Sequence, residues 1–283
     1  MKQKGFKPTI LYWLAAVLVV AGCFAFVWSR TPVQEKQAYQ TVVLGDSIFG
    51  STRDETSIPA QIGRKLGMTV YNGALGGTCA SRQHREDHMD YSLDSVSFGA
   101  LTRAISLGDF GVQKTVKGMG SGTAYYADTI AGLSALDMGK AELILVLYGN
   151  NDYFAGRPLD AENDPEDEYT FGGALRSGLR RLRACCPDAR IVLVTPTYNW
   201  LIESGQTCEE YTENGKYLED YVRLEQQIGQ EEQIEVLDLY HDFLPNDTWE
   251  DWQRYTIDGV HPNEAGRQLI ADRIVQYLKG EEP

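Results

Sequence analysis

Residues 141–152 read AELILVLYGNND. From Leu143 to Leu147 every side chain is apolar, with no alternation. A run this short and this uniformly apolar predicts a strand buried on both faces, here assigned to residues 141–149. Two other runs share its character. TVVL at 41–44 leads into Gly45-Asp46-Ser47, and RIVLVTP at 190–196 is stopped by Pro196. Shorter strands are expected at 69–71 and 234–239. Helical patterns lie between them, at 58–66, 123–137, 172–185, 209–229 and 263–279. The third of these spaces Leu175, Leu179 and Leu182 along one helix face. Strands that alternate with helices in this way predict an α/β fold, with a parallel sheet covered on both sides. Ligands of such sheets sit beyond the carboxyl ends of the strands.

The chain has 283 residues and is 43% hydrophobic, enough for one full core. It contains no internal repeat. The first thirty residues form a separate object. Lys2, Lys4 and Lys7 precede the uncharged run ILYWLAAVLVVAGCFAFVW at 10–28. As a helix that run would reach about 28 Å, near the thickness of a bilayer core. The basic start predicts the N-terminus inside and the remainder outside the cytoplasm. The expected organisation is therefore an N-terminal segment at 1–30, a linker at 31–38 and one domain at 39–283. We expect a single-pass cell-membrane anchor through residues 10–28. Lipidation of Cys23 within VAGC, or cleavage as a secretory signal, are the alternatives.

Residues 1–30 hold four basic residues and no acidic ones; the remainder carries 22 basic against 40 acidic residues, a formal charge of −18. That field repels nucleic acid, which is not expected as a partner. Cys79, Cys185, Cys186 and Cys208 have no CxxC spacing, so structural thiols or one disulfide are expected rather than a metal site.

The residues just past the strands carry the chemistry. Gly45-Asp46-Ser47 follows the first strand, NGALGGT (72–78) the second, and Gly149-Asn150-Asn151-Asp152 the third. DGVHPNEAG (258–266) precedes the closing helix. Nucleophilic catalysis needs a hydroxyl, an imidazole base, a carboxylate to orient it, and donors for an oxyanion. A parallel sheet would gather one of each at a single edge. Asp258 and His261 are three apart, so one turn can join them. Pro262 keeps His261 out of the α region. Gly76 and Gly77 allow a backbone N–H to approach a substrate closely, and Asn151 offers a neutral amide donor.

These four blocks, in this order, resemble those of the SGNH hydrolases, the GDSL esterase and lipase family, over residues 40–280. The resemblance implies a three-layer α/β/α sandwich with a flavodoxin-like parallel sheet. It implies ester hydrolysis through an acyl-enzyme, with no metal or cofactor. Ser47 would be the nucleophile, His261 the general base and then acid, and Asp258 its orienting carboxylate. The oxyanion donors would be the N–H of Ser47, the N–H of Gly77 and the side chain of Asn151. Gly77 lies five residues after Asn72, as in relatives, and Gly76 is the alternative. The stretch from Gly77 to Asn151 is longer than in compact members, which points to a helical insertion at 79–122. The expected function is an extracytoplasmic serine esterase acting on a small-molecule or carbohydrate ester. A glycan O-acyltransferase with the same triad and a non-catalytic surface module are the alternatives. The oligomeric state is not legible.

Three other features carry bland explanations. His84 and His88 in HREDH resemble a zinc motif, but the glutamate is misplaced, and a solvated helix face explains them. His241 lacks the DxxHPN context. Tyr153, Phe154, Tyr198, Trp200, Trp249, Trp252 and Tyr255 cluster after strands, where they suit loop packing or a rim for sugar rings or acyl chains.

Overall fold

The computed structural model describes residues 36–84, 93–116, 121–244 and 248–281. Five strands form one parallel sheet: β1 (Thr41–Gly45), β2 (Val70–Asn72), β3 (Leu143–Leu147), β4 (Arg190–Val194) and, last in the chain, β7 (Glu235–Leu237). Their order is β2-β1-β3-β4-β7. The chain leaves β1 toward one edge and returns to its other side with β3, so the sheet has its switch point between these two strands. The pairing register sets Gly45 opposite Leu147. Both strands therefore end at one level, and the segments that leave them emerge side by side.

Uniform apolarity is satisfied by two cores. Val42, Leu44, Ile144, Val146, Ile191 and Leu193 point into one. Val43, Leu145, Leu147, Val192 and Val194 point into the other. The first is closed by α3 (Phe98–Leu107), α4 (Tyr126–Ala135), α6 (Phe171–Cys185) and α7 (Leu218–Glu232). The second is closed by α1 (Ser47–Gly50), α2 (Ile58–Leu66) and α9 (Glu264–Lys279). This is the expected three-layer arrangement. Helix α3, inside the stretch expected as an insertion, packs on α6.

The boundaries differ where local chemistry intervenes. Helix α2 starts at the Ser57 cap, with Pro59 in its first turn, and ends at Gly67. The helix expected at 209–229 begins only at Leu218. Asn214 and Gly215 are both left-handed (φ 50° and 73°), which no helix tolerates. Before them lies a hairpin of β5 (Trp200–Leu201) and β6 (Gln206–Thr207). Two short helices follow strands directly and carry no signal in the sequence: α1, and α5 (Asn150–Phe154). Helix α8 (Asp251–Tyr255) completes the set.

Cys79, Cys185, Cys186 and Cys208 are all free thiols, so the structural-thiol expectation holds and the single disulfide does not. Among the described residues no helix is long and apolar enough to cross a membrane, and residues 10–28 lie outside them.

Leu145 is fully buried at the centre of the sheet. Leu145→Ala should lower unfolding free energy by about 2–5 kcal/mol, measured by urea denaturation, because the sheet cannot collapse around the lost volume.

Candidate active site

The residues after β1 and β3 meet the loop before α9 at one edge of the sheet. Ser47 is the first residue of α1, where its own N–H has no intrahelical partner. His261 Nε2 lies 2.9 Å from Ser47 Oγ. Its Nδ1 donates to Asp258 Oδ2 at 2.7 Å. That bond leaves Nε2 as the acceptor for the Ser47 proton. Burial alone would raise the pKa of Asp258. Hydrogen bonds from the backbone and ring of His261 and from Val260 N outweigh it, and the carboxyl is held below its usual value.

The loop that carries this pair is fixed by its sequence. Gly259 adopts φ 85°, and any Cβ there would strike the Trp200 carbonyl oxygen at 2.0 Å. Trp200 N donates to Gly259 O in return. Asn263 caps α9 by accepting from Gly266 N at 3.0 Å, and its amide donates to Arg254 O. HPN thus reads as the catalytic candidate, a proline just outside the helix and the N-cap in succession.

Block two sits against Ser47. Asn72 donates to Phe49 O and accepts from Ala74 N, tying this loop to α1. The N–H of Gly76 donates to Tyr125 Oη at 2.9 Å. The N–H of Gly77 makes no hydrogen bond within the described residues, and its φ of 74° turns the chain there. This favours Gly77 over Gly76 as the free donor. Asn151 lies in the first turn of α5 and gives one amide hydrogen to Thr78 O at 3.0 Å, which leaves the second for a ligand. Next to it, Asp152 accepts from Ala80 N, Ser81 N and Ser81 Oγ, so block three also anchors the chain leaving block two.

The other histidines stay apart from this cluster. His241 bonds Asp238 and Glu219, and His84 bonds Asp94. His88 lies outside the described residues. Among those residues no group of three metal-ligating side chains occurs. The aromatic residues mostly pack on each other: Trp249 stands edge-on to both Trp200 and Trp252.

The sequence patterns missed Tyr125, Tyr126 and Arg53. Arg53 donates to Asn72 O and Ala74 O, and its guanidinium lies 4.0 Å from the Tyr125 ring centroid. No spacing signal marks these residues, because they reach the site only through tertiary packing.

The model of the GDSL-like lipase/acylhydrolase family matches residues 43–269. The chain belongs to that family and is an ester hydrolase. No curated protein matches its sequence. Among solved structures, a protein from Lactobacillus plantarum is 19% identical, covering 87% of this chain and 100% of its own, with a TM-score of 0.61. A possible lipase from Chitinophaga pinensis is 19% identical over 86% of this chain and 98% of that one, with a TM-score of 0.54. A family two carbohydrate esterase from Clostridium thermocellum, in complex with cellohexaose, is 16% identical over 86% of this chain and 65% of that one, with a TM-score of 0.51.

Asp46, fully buried beside Ser47, caps α1 through Ile48 N. Burial pushes its pKa up to about 7, against the bonds and the nearby His261 that lower it. The unfolded chain releases this proton at an ordinary carboxyl pKa. Over the window between, the native state holds the extra proton and loses stability as pH rises. Asp46→Asn retains the cap acceptor and removes the titration. Its melting temperature relative to the parent should therefore climb from about pH 4.5 to about pH 8, measured by calorimetry.

Proposed function

We propose that this protein is a serine esterase that works outside the cytoplasm on acyl groups carried by carbohydrate, through an acyl-enzyme on Ser47. The observation that carries the catalytic half is the unbroken line from Asp258 through His261 to Ser47, with bonds of 2.7 and 2.9 Å. His261 Nε2 takes the Ser47 proton as Oγ attacks the ester carbon. Asp258 holds the ring in the required tautomer and stabilises the imidazolium. The N–H groups of Ser47 and Gly77 and the free amide hydrogen of Asn151 receive the oxyanion. His261 then gives its proton to the departing alcohol. Water, deprotonated by the same nitrogen, releases the acid and restores Ser47.

Two features support a carbohydrate substrate. One is the likeness to a carbohydrate esterase. The other is the Trp200, Trp249 and Trp252 cluster, tied by the Trp200 backbone to the triad loop, with Trp249 exposed at its edge. The location outside the cytoplasm rests on the apolar run at 10–28 and its basic flank.

Ser47→Ala should abolish hydrolysis of p-nitrophenyl acetate and labelling by a fluorophosphonate. Full activity in that variant would overturn the mechanism. Asn151→Ala should cut kcat by about 10²–10³ with a smaller effect on KM, as loss of one oxyanion donor requires. Release of acetate from acetylated oligosaccharides, compared with simple esters, tests the carbohydrate half.

A further inference from the structure

Tyr125 lies outside every block that defines the family, yet its hydroxyl is set against block two at Gly76, the glycine that abuts Ser47. Gly76 N donates to that oxygen at 2.9 Å. A Cβ at Gly50 or at Gly76 would lie 3.2 Å from it, and the one at Gly76 would also lie 3.5 Å from Ser47 Cβ. Two glycines therefore leave open the notch the phenol fills. One is at the end of the short helix that Ser47 begins, and the other abuts Ser47 from block two.

The ring is held in place from behind. The Arg53 guanidinium covers it at 4.0 Å, while its nitrogens donate to Asn72 O, Ala74 O and Thr129 Oγ1. The next residue, Tyr126, is fully buried, packs edge-on to Tyr125 and donates to Gly76 O. Consecutive tyrosines thus grip both sides of Gly76. An oxygen that accepts from Gly76 N must aim its own proton elsewhere, and no acceptor for it occurs among the described residues. Tyr125 as a residue is only partly buried.

We propose that Tyr125 is a substrate-contacting residue, whose O–H donates to the oxyanion formed at Ser47. It joins Ser47 N, Gly77 N and Asn151 as a fourth donor. The N–H of Gly76 acts through it, polarising the hydroxyl along a two-bond chain. The proposal rests on the serine-esterase mechanism above. It adds a residue from the segment between blocks two and three to the reacting centre.

Tyr125→Phe keeps the ring, the Arg53 stack and the packing on Tyr126, and removes only the hydroxyl. With p-nitrophenyl acetate, kcat should fall roughly 10- to 100-fold, below the loss for a fully buried oxyanion donor. KM should stay within about 2-fold, because the donation to the oxyanion is made only in the transition state, while the melting temperature should drop by a few degrees for the lost acceptor of Gly76 N. The rate of fluorophosphonate labelling should fall by a similar factor, because the phosphonyl oxygen uses the same donors. Unchanged kcat and labelling rate would overturn the proposal. So would a lowered melting temperature with a raised KM, which would make Tyr125 a structural residue. Ser47→Ala run in parallel separates the two levels. If that variant keeps its activity, the serine mechanism falls and this proposal with it. If it is dead while Tyr125→Phe is fully active, only the role of Tyr125 falls.

Discussion

Everything at the site depends on the pairing of β1 with β3. The register that sets Gly45 opposite Leu147 ends both strands at one level, and Asp46 N still bonds Leu147 O one step further on. A slip of one residue would exchange the two cores, sending Val43 where Val42 belongs. It would also separate Ser47 from Asn151. The apolar packing on both faces makes that slip costly, so the geometry of the candidate catalytic groups follows from the hydrophobic pattern of the strands.

The same edge concentrates unfavourable electrostatics. Asp46 and Asp152 are both fully buried, and burial raises the two pKa values to about 7 and about 6. Glu225 on α7 is buried with neither carboxylate oxygen hydrogen-bonded in the described residues. Burial, and the charges of Asp152, Asp46 and Asp238, push its pKa well up. Asp152 has a visible reason to be there, since it ties block three to Ala80 and Ser81. Asp46 caps the helix that presents Ser47. For Glu225 no compensating hydrogen bond occurs among the described residues. Local stability is given up where block positions must be held, which is the usual relation between a site and its scaffold.

Much of this was legible in the sequence, for physical reasons. Strands β1, β3 and β4 announce themselves because their central residues, buried on both faces, form unbroken apolar runs. The Asp258–His261 pair is legible because three residues and a proline confine it to one turn. The helix expected at 209–229 starts later because periodicity alone does not register two consecutive left-handed residues. The short helices α1 and α5 escape notice because four or five residues carry no period. Tyr125 and Arg53 are invisible because their partners lie at Gly76, Asn72 and Ala74, and no local rule connects them.

By itself the sequence determined the parallel α/β class, and it pointed to the strand ends and to Ser47, Asn151, Asp258 and His261 as the candidate site. Those follow from apolar periodicity and from the donors and acceptors that each side chain must carry. Only the tertiary structure decided which glycine N–H is free, since a hydroxyl 49 residues away occupies Gly76 and leaves Gly77 open. It also decided that these four cysteines are thiols, and that a tyrosine between the family blocks reaches Gly76 of block two. Such facts depend on which distant surfaces touch, and contact between distant segments is not encoded in any window of the chain.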